Sequence, residues 1–521
     1  MRHPPGAADR MEPSAQSLTS RTARAAQWRF SGSIIGAALQ FSVGVLLARL
    51  LTPRDFGVSA LASLVMGLAR LLGDLGMGSA VVQRAVLTDR HIRTAFTLSA
   101  LVGLATAVLI ALAAPLGAAV MQEPILIPVL RAFSTIFLAG GLSSVAASLL
   151  RKRLDFTRQF FIDIGTYVFG YALVATSLAT LGFGVWSLVW GGLAQSFLTS
   201  AALILLVRHP LRPLLGRREL EDLLGFGIGA TLNAFASYVA VQIDTFIVGR
   251  WSGVASLGLY NRAYTLMELP YTRVTRVVSG VLLPALAQVQ GEPERMRRAY
   301  LFATQLTAIV AGPAMGVMVI SAPLFVPSVY GPRWMGAVLP LQLLCVAGYA
   351  RALYPLGGMV ARSVGRVYAE LGLQIVYAVL VMIGALAGIR YGLSGVAIGV
   401  GGAIACMFIA MTQLALRITA TTWGAYLRVQ LFATGMTALT TGVALGLRGL
   451  FEAMELARVI VLTGMMAGAS LTWVLGVVWK LGEPDFGPLR DRLPRGVLLI
   501  VERTGRWRHS WRPRTVSSKY R

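Results

Sequence analysis

The segment Val239-Ala240-Val241-Gln242-Ile243-Asp244-Thr245-Phe246-Ile247-Val248-Gly249-Arg250, continued by Leu257-Gly258-Leu259-Tyr260-Asn261-Arg262-Ala263-Tyr264 and on to Pro270, joins two long apolar runs through a short polar turn. It sets Asp244 near the end of the first run and Arg262 inside the second. A weaker copy lies near the N-terminus. Moving Leu46-Leu47-Ala48-Arg49 and Phe56-Gly57-Val58 forward by 201 positions lays Arg49 on Arg250, Phe56 on Leu257 and Gly57 on Gly258, with turns of equal length between. Self-similarity at one offset is the mark of a duplicated unit. One segment carries the match, so chance likeness between apolar sequences is the competing explanation.

Water is the wrong solvent for most of this chain. Of its 521 residues 56% are hydrophobic and 13% charged, where soluble domains carry about 25% charged residues; the mean hydropathy is +0.69. Apolar runs of roughly 20 residues, each able to cross a hydrocarbon core, recur from end to end. They read as spans at 30–48, 56–82, 94–120, 126–150, 160–181, 184–207, 223–248, 256–284, 301–326, 336–360, 368–388, 393–416, 426–447 and 457–480. The expectation is an all-α integral membrane protein of about 14 transmembrane helices.

Orientation follows from the basic residues, because short connections rich in Lys and Arg stay in the cytoplasm. Arg84, Arg90 and Arg93, then Arg151, Lys152, Arg153 and Arg158, then Arg208, Arg212, Arg217 and Arg218, then Arg295, Arg297 and Arg298, then Arg362 and Arg366 fall in alternate connections. The intervening connections, such as Met121–Ile125 and Leu181–Gly184, are short and poor in basic residues. Both termini are therefore expected in the cytoplasm. Six helices per unit is an even number, so the copies would enter from one side as parallel repeats. The expected domains are a disordered basic leader (1–29), an N-lobe (30–207), a cytoplasmic linker (208–222), a C-lobe (223–416), two added helices (417–480) and a basic tail (481–521), with the lobes flanking a central cleft. The leader lacks an apolar core before a small-residue cleavage site, so it does not read as a secretory signal. In the tail, Gly496 to Val501 lies among arginines with Trp507 and Trp511; such a segment suits an anionic leaflet and equally suits a solvated tail.

The net charge of +25 needs no nucleic acid, since positive-inside bias explains where the arginines fall. Cys345 and Cys406 both fall inside spans and read as small buried hydrophobes rather than a disulfide or a metal pair. The histidines, His3, His91, His209 and His509, lie in leader, loops or tail. There is no phosphate-binding loop, zinc helix or paired-Cys motif. No catalytic residues, metal or cofactor are expected.

Ionisable residues inside spans are costly and normally face protein, water or a passenger. Arg70 and Asp74 are four apart on one helical face, as a cavity pair or a neutral structural pair. Arg262, Arg273 and Arg276 share a narrow sector at about 100° per residue, a cationic stripe unless the last two only snorkel to the boundary. Glu268 lies off that stripe, and Pro270 is placed to free backbone carbonyls. Arg351 sits mid-span; Arg131, Asp163, Asp244 and Glu370 are weaker, the three acids lying near span ends. Substrate-binding candidates are therefore Arg70, Arg262, Arg273, Arg276 and Arg351, and coupling-ion or charge-pair candidates are Asp74, Asp244 and Glu268. Arginine suits an anionic passenger, because its guanidinium matches phosphate oxygens in bidentate fashion and stays charged at any relevant pH. Tyr238, Tyr260, Tyr264, Tyr271, Tyr349 and Tyr354 suit stacking on sugar rings or simple packing.

The pattern Gln242-Ile243-Asp244, Gly249-Arg250, Leu257-Gly258-Leu259-Tyr260 and Pro270, with Leu46-Leu47-Ala48-Arg49-Leu50-Leu51-Thr52-Pro53-Arg54-Asp55-Phe56-Gly57, resembles the polysaccharide-transporter (Wzx-type, lipopolysaccharide biosynthesis) branch of the multidrug/oligosaccharidyl-lipid/polysaccharide exporter superfamily. The resemblance covers roughly 20–480 and implies two six-helix lobes that flip an undecaprenyl-pyrophosphate-linked oligosaccharide to the outer leaflet of the bacterial inner membrane. It implies partners of that kind: the lipid-linked glycan, membrane lipid, and a glycan polymerase with export machinery. A cation-coupled multidrug exporter of the same superfamily is the first rival; it calls for deep acids, and Asp74 is the one deep acid of span 2. A membrane glycan polymerase or ligase is the second; it calls for a sizeable external loop, and every outward connection is about a dozen residues or fewer.

Overall fold

The computed structural model describes residues 35–74, 88–153, 155–207, 210, 212–214, 216, 238–239 and 241–481, with some side chains between 72 and 74 and between 271 and 285 outside the description. The expected leader, the tail, the start of the span at 223–248, and the side chains of Asp74, Arg273 and Arg276 lie outside the described residues. Among the described residues every regular element is helical. Among the described residues nine helical stretches are long and apolar enough to cross a membrane. Large apolar side chains face outward, Leu112 at 75% exposed and Val346 at 70% among them, which is the surface that lipid, not water, wets.

The chain divides into two compact units, Met1–Gly258 and Leu259–Arg521. In the first, α1 (Ile35–Leu50) buries Val43 and Leu47, with Leu51 beyond its end, against Ala175, Ala179 and Leu188. The four-residue spacing is one helical face. The turn that follows is written in sequence. Thr52 Oγ1 accepts from the Asp55 amide at 3.3 Å, Asp55 Oδ2 accepts from the Thr52 amide at 2.9 Å, and Pro53 occupies the first helical position of α2 (Pro53–Asp74). That is a reciprocal cap with proline where its missing N–H is harmless.

α3 (Asp89–Met121) opens on Thr88, whose hydroxyl accepts from the His91 amide at 3.4 Å, and closes on Gln122 in the left-handed region. α4 (Leu126–Lys152) runs back along it. A Cβ on Gly103 would lie 2.5 Å from the Phe137 carbonyl, and one on Gly141 2.5 Å from the Ser99 carbonyl, so here backbone meets backbone. Small residues at such crossings replace the hydrophobic drive that lipid removes. α5 (Phe156–Thr180) contains a π-helical segment, Tyr167–Ala172, where Gly170 lets it press on the backbone of α6 (Val185–Val207) at Gln195. The helix α7, 241–247, ends in a π turn, Val248–Ser252, and Gly253 at φ +84° turns the chain into α8 (Val254–Gln288).

The two echoed segments meet. A Cβ on Gly57 would land on the Val254 carbonyl, and a Cβ on Gly258 would land on the Pro53 carbonyl. Those contacts are the same contact exchanged, because Pro53 and Val254 differ by the same 201 positions as Gly57 and Gly258. Arg54 and Arg250 also reach one place, the α3–α4 turn: Arg54 pairs with Glu123 at 2.8 Å, and Arg250 donates to the Gln122 side chain at 2.9 Å.

In the second unit α9 (Pro293–Val329) leads through a 3₁₀ turn, Pro332–Ala337, into α10 (Val338–Ser363), then α11 (Val367–Gly388), a 3₁₀ turn at Ile389–Tyr391, α12 (Gly392–Ile418), α13 (Trp423–Ala453) and α14 (Arg458–Leu481). α11 and α12 cross with bare backbones at Gly384 against Gly399. The core gathers on Tyr300, Leu356, Ala415 and Tyr426, with the Tyr300 and Tyr426 rings stacked 6.0 Å apart.

Candidate functional site

The first unit contains a groove of about 510 Å³ whose lining mixes polar side chains with a larger apolar share. α2 contributes Arg70, α3 Ser99, α4 Phe137, Gly140 and Ser144, and α6 Gln195, Ser196 and Thr199. The α3–α4 glycine crossing beside Ser99 brings these walls together, while Gly140 has no neighbour within 4 Å of its Cβ position and leaves the floor open. The hydroxyls of this region fall into two sets. Ser143 donates to the Ala139 carbonyl at 3.0 Å, Ser200 to the same carbonyl at 2.7 Å and Thr199 to Thr166 at 2.8 Å. Ser99 is 4% exposed and its Oγ has no partner. Arg70, Ser144, Gln195 and Ser196 make no hydrogen bond or ion pair among the described residues. Polar groups within a membrane protein cost several kcal/mol when unsatisfied, roughly 2–7 on transfer scales, so this wall is one that water or a polar ligand occupies. Arg70 is its single charged side chain among the described residues; the Asp74 side chain, one turn along, lies outside them.

Arg262 is half-buried on α8, with its guanidinium 5.2 Å from the centre of the Tyr330 ring and 5.6 Å from that of Trp334. Trp334 is fully buried. Each such contact contributes about 0.5–2 kcal/mol, so this arginine fastens α8 to the turn between α9 and α10. Tyr330 sits in that turn; burial pushes its phenol up, and the Arg262 charge and hydrogen bond oppose the rise. α8 passes through Pro270 as one helix, and its turn at Glu268 is held by Thr272, whose hydroxyl donates to the Glu268 carbonyl at 3.0 Å. Glu268 itself is half-buried.

Arg351 is 7% exposed, bonded to the Tyr354 hydroxyl and stacked 5.2 Å from its ring. Asp244, placed by hydropathy near a span end, is 3% exposed and accepts from the Thr245 amide at 2.7 Å. Glu370, also placed near a span end, is 9% exposed and pairs with Arg362 at 2.9 Å. Arg131 and Asp163 are exposed, Cys345 is buried and Cys406 exposed. Of the tyrosines, Tyr260 and Tyr354 are buried, Tyr349 donates to Gln430 at 2.7 Å and Tyr238 to the Leu64 carbonyl at 3.0 Å; these pack.

The structure thus brings Arg70 into a groove and sets Arg262 and Arg351 among aromatic rings. The groove's hydroxyls and Gln195 were not singled out in the sequence. Their signal was there: Ser143-Ser144 and Gln195-Ser196 are polar pairs in the middle of apolar runs. A second cavity of about 310 Å³ lies in the other unit, walled by Pro270, Pro313, Val317, Met466 and Trp473 from α8, α9 and α14, and is chiefly apolar.

The chain was compared with known proteins. It is 26% identical to the lipopolysaccharide biosynthesis protein WzxC of Escherichia coli (strain K12), over 66% of this chain and 70% of that one. It is 26% identical to the teichuronic acid biosynthesis protein TuaB of Bacillus subtilis (strain 168), over 69% and 76%, and 27% identical to the succinoglycan biosynthesis transport protein ExoT of Rhizobium meliloti (strain 1021), over 59% and 62%. Among solved structures its fold is similar to that of the lipid II flippase MurJ in an inward closed conformation, at a TM-score of 0.67 and 15% identity, covering 86% of this chain and 98% of that one. It is also similar to an inward-facing multidrug resistance MATE transporter of the MOP superfamily, at 0.60 and 19%, covering 73% and 93%. The sequence model of the family described as "Polysaccharide biosynthesis protein" matches residues 46–339, which hold both echoed turns, and the chain, a multi-pass membrane protein, belongs to that family.

Proposed function

We propose that this protein flips an undecaprenyl-pyrophosphate-linked oligosaccharide from the inner to the outer leaflet of the bacterial inner membrane. The observation that carries the reading is the groove at Arg70, whose described lining holds hydroxyls, an amide, one guanidinium and no carboxylate among apolar groups. A guanidinium is charged at every relevant pH and favours an anion over a cation. The relatives' names, in lipopolysaccharide, teichuronic acid and succinoglycan biosynthesis, support a glycan passenger. The apolar cavity beside α14 supports a passenger with a hydrocarbon part. In this reading fourteen spans form two parallel lobes with both termini in the cytoplasm, access alternates across the cleft, and Arg70 of α2 faces an anionic part of the passenger. A polymerase and export machinery consume the flipped unit. No residue needs to make or break a covalent bond.

The test is translocation of a fluorescent undecaprenyl-pyrophosphate oligosaccharide in proteoliposomes. The native protein is expected to move it to the far leaflet, and Arg70→Gln to slow it while Arg70→Lys retains part of the rate. Failure to move the lipid-linked glycan, with export of a cationic dye along a sodium or proton gradient, overturns the reading in favour of a drug exporter.

A further inference from the structure

The Arg70 groove is more selective than an anion trap, and its inventory decides for what. It offers one guanidinium, with no second cation in the described lining. A pyrophosphate diester carries two negative charges shared over its four non-bridging oxygens, and sites that hold such groups assemble several cationic donors. A single guanidinium balances a single carboxylate, which it meets with two parallel hydrogen bonds. The rest of the described wall is uncharged, and three of its side chains suit hydroxyl partners: the Gln195 amide gives and takes hydrogen bonds, and Ser144 and Ser196 do both with one oxygen each. Ser99 Oγ, buried and without a partner, lines the same space. Phe137 adds an apolar face, which is what the C–H side of a pyranose ring requires. A volume of about 510 Å³ lies in the ordinary range for ligand pockets, about 300–1,000 Å³.

We propose that the groove is a subsite for a sugar residue bearing a carboxylate, such as a uronic acid, so that the passenger glycan is acidic. Arg70 holds the carboxylate, Gln195, Ser144 and Ser196 hold ring hydroxyls, and Phe137 packs under the ring. The pyrophosphate is then held elsewhere, and Arg70 acts in selecting the glycan. The biological setting of this subsite rests on the flippase reading; its binding chemistry stands without it.

The experiment is equilibrium binding to the full-length protein in lipid nanodiscs, by titration calorimetry, with three probes: cellobiouronic acid, cellobiose and inorganic pyrophosphate. The acidic disaccharide is expected to bind about tenfold tighter than the neutral one, the effect of one charge-assisted pair in part offset by water. Arg70→Gln is expected to erase that difference. Gln195→Ala, on another helix, is expected to weaken both disaccharides severalfold while the acid preference persists. Equal affinity for the two disaccharides in the native protein overturns the proposal. So does pyrophosphate binding that depends on Arg70 and displaces the acidic sugar. The two readings separate cleanly: a protein that prefers the acidic disaccharide but flips no lipid-linked glycan loses the flippase reading alone, and one that flips glycan without this preference loses the subsite alone.

Discussion

Placing a methyl group at Gly57 or Gly258 tests the duplicated crossing directly. At each position the new Cβ would overlap a carbonyl of the opposite segment, Val254 in one case and Pro53 in the other. The obstacle is backbone, so no side chain can swing aside and the helices must separate. Overpacking of this kind costs about 1–3 kcal/mol when neighbours yield; a rigid backbone contact puts both variants at the upper end. The exchange symmetry adds a sharper expectation. One separation accommodates both methyls, so Gly57→Ala with Gly258→Ala should cost much less than the sum of the two singles, as coupled neighbours do. Gly435→Ala is the control. Gly435 lies inside α13 with nothing within 4 Å of its Cβ position, and there alanine should gain roughly 0.5–1 kcal/mol from helix propensity. The assay is thermal unfolding of detergent-purified protein followed by tryptophan fluorescence. If either glycine variant melts with Gly435→Ala, or if the double variant is additive, the crossing does not hold the two segments as described.

Arg262→Ala should lower stability by about 1–3 kcal/mol through loss of the Tyr330 and Trp334 contacts, measured in the same melts, whereas Tyr330→Phe should keep the ring contact and most of the stability. Thr52→Ala should cost about 1 kcal/mol by removing the cap of α2, and adding Asp55→Ala should add little because the two side chains serve one turn. Gly141→Ala, whose Cβ would meet the Ser99 carbonyl at 2.5 Å, should spread α3 from α4 and weaken cellobiose and cellobiouronic acid alike, read by calorimetry; loss of the acidic probe alone would contradict the placement of the groove.

How much of this was legible in the sequence depends on the range of the interaction. The all-helical membrane fold follows from local facts, apolar length and basic connections, and the described helices overlap apolar runs that hydropathy marks. The Thr52-Pro53-Arg54-Asp55 turn is also local, since a cap is four residues of chemistry. The Gly57 and Gly258 echo was legible as a repeat but not as a contact; the offset says that two segments are alike and is silent on whether they touch. The groove was hardest to see, because Arg70, Ser99, Ser144 and Gln195 come from four helices spread over more than a hundred residues, and none has a pattern of its own.

Charge shows the same limit from the other side. Composition and helical angle located Arg262 as a buried cation on the α8 face, and the natural step was to give it the anionic passenger. Its partners, Tyr330 and Trp334, lie about seventy residues further along the chain, beyond any periodicity. A guanidinium over two rings is partly compensated already, so removing it costs stability before it costs transport. Arg70, by contrast, has its side chain exposed in a groove and takes no partner among the described residues. In this chain the arginine more open to solvent is therefore the better place to look for substrate, because burial of a charge in a helix bundle requires that the bundle itself first supply the partner.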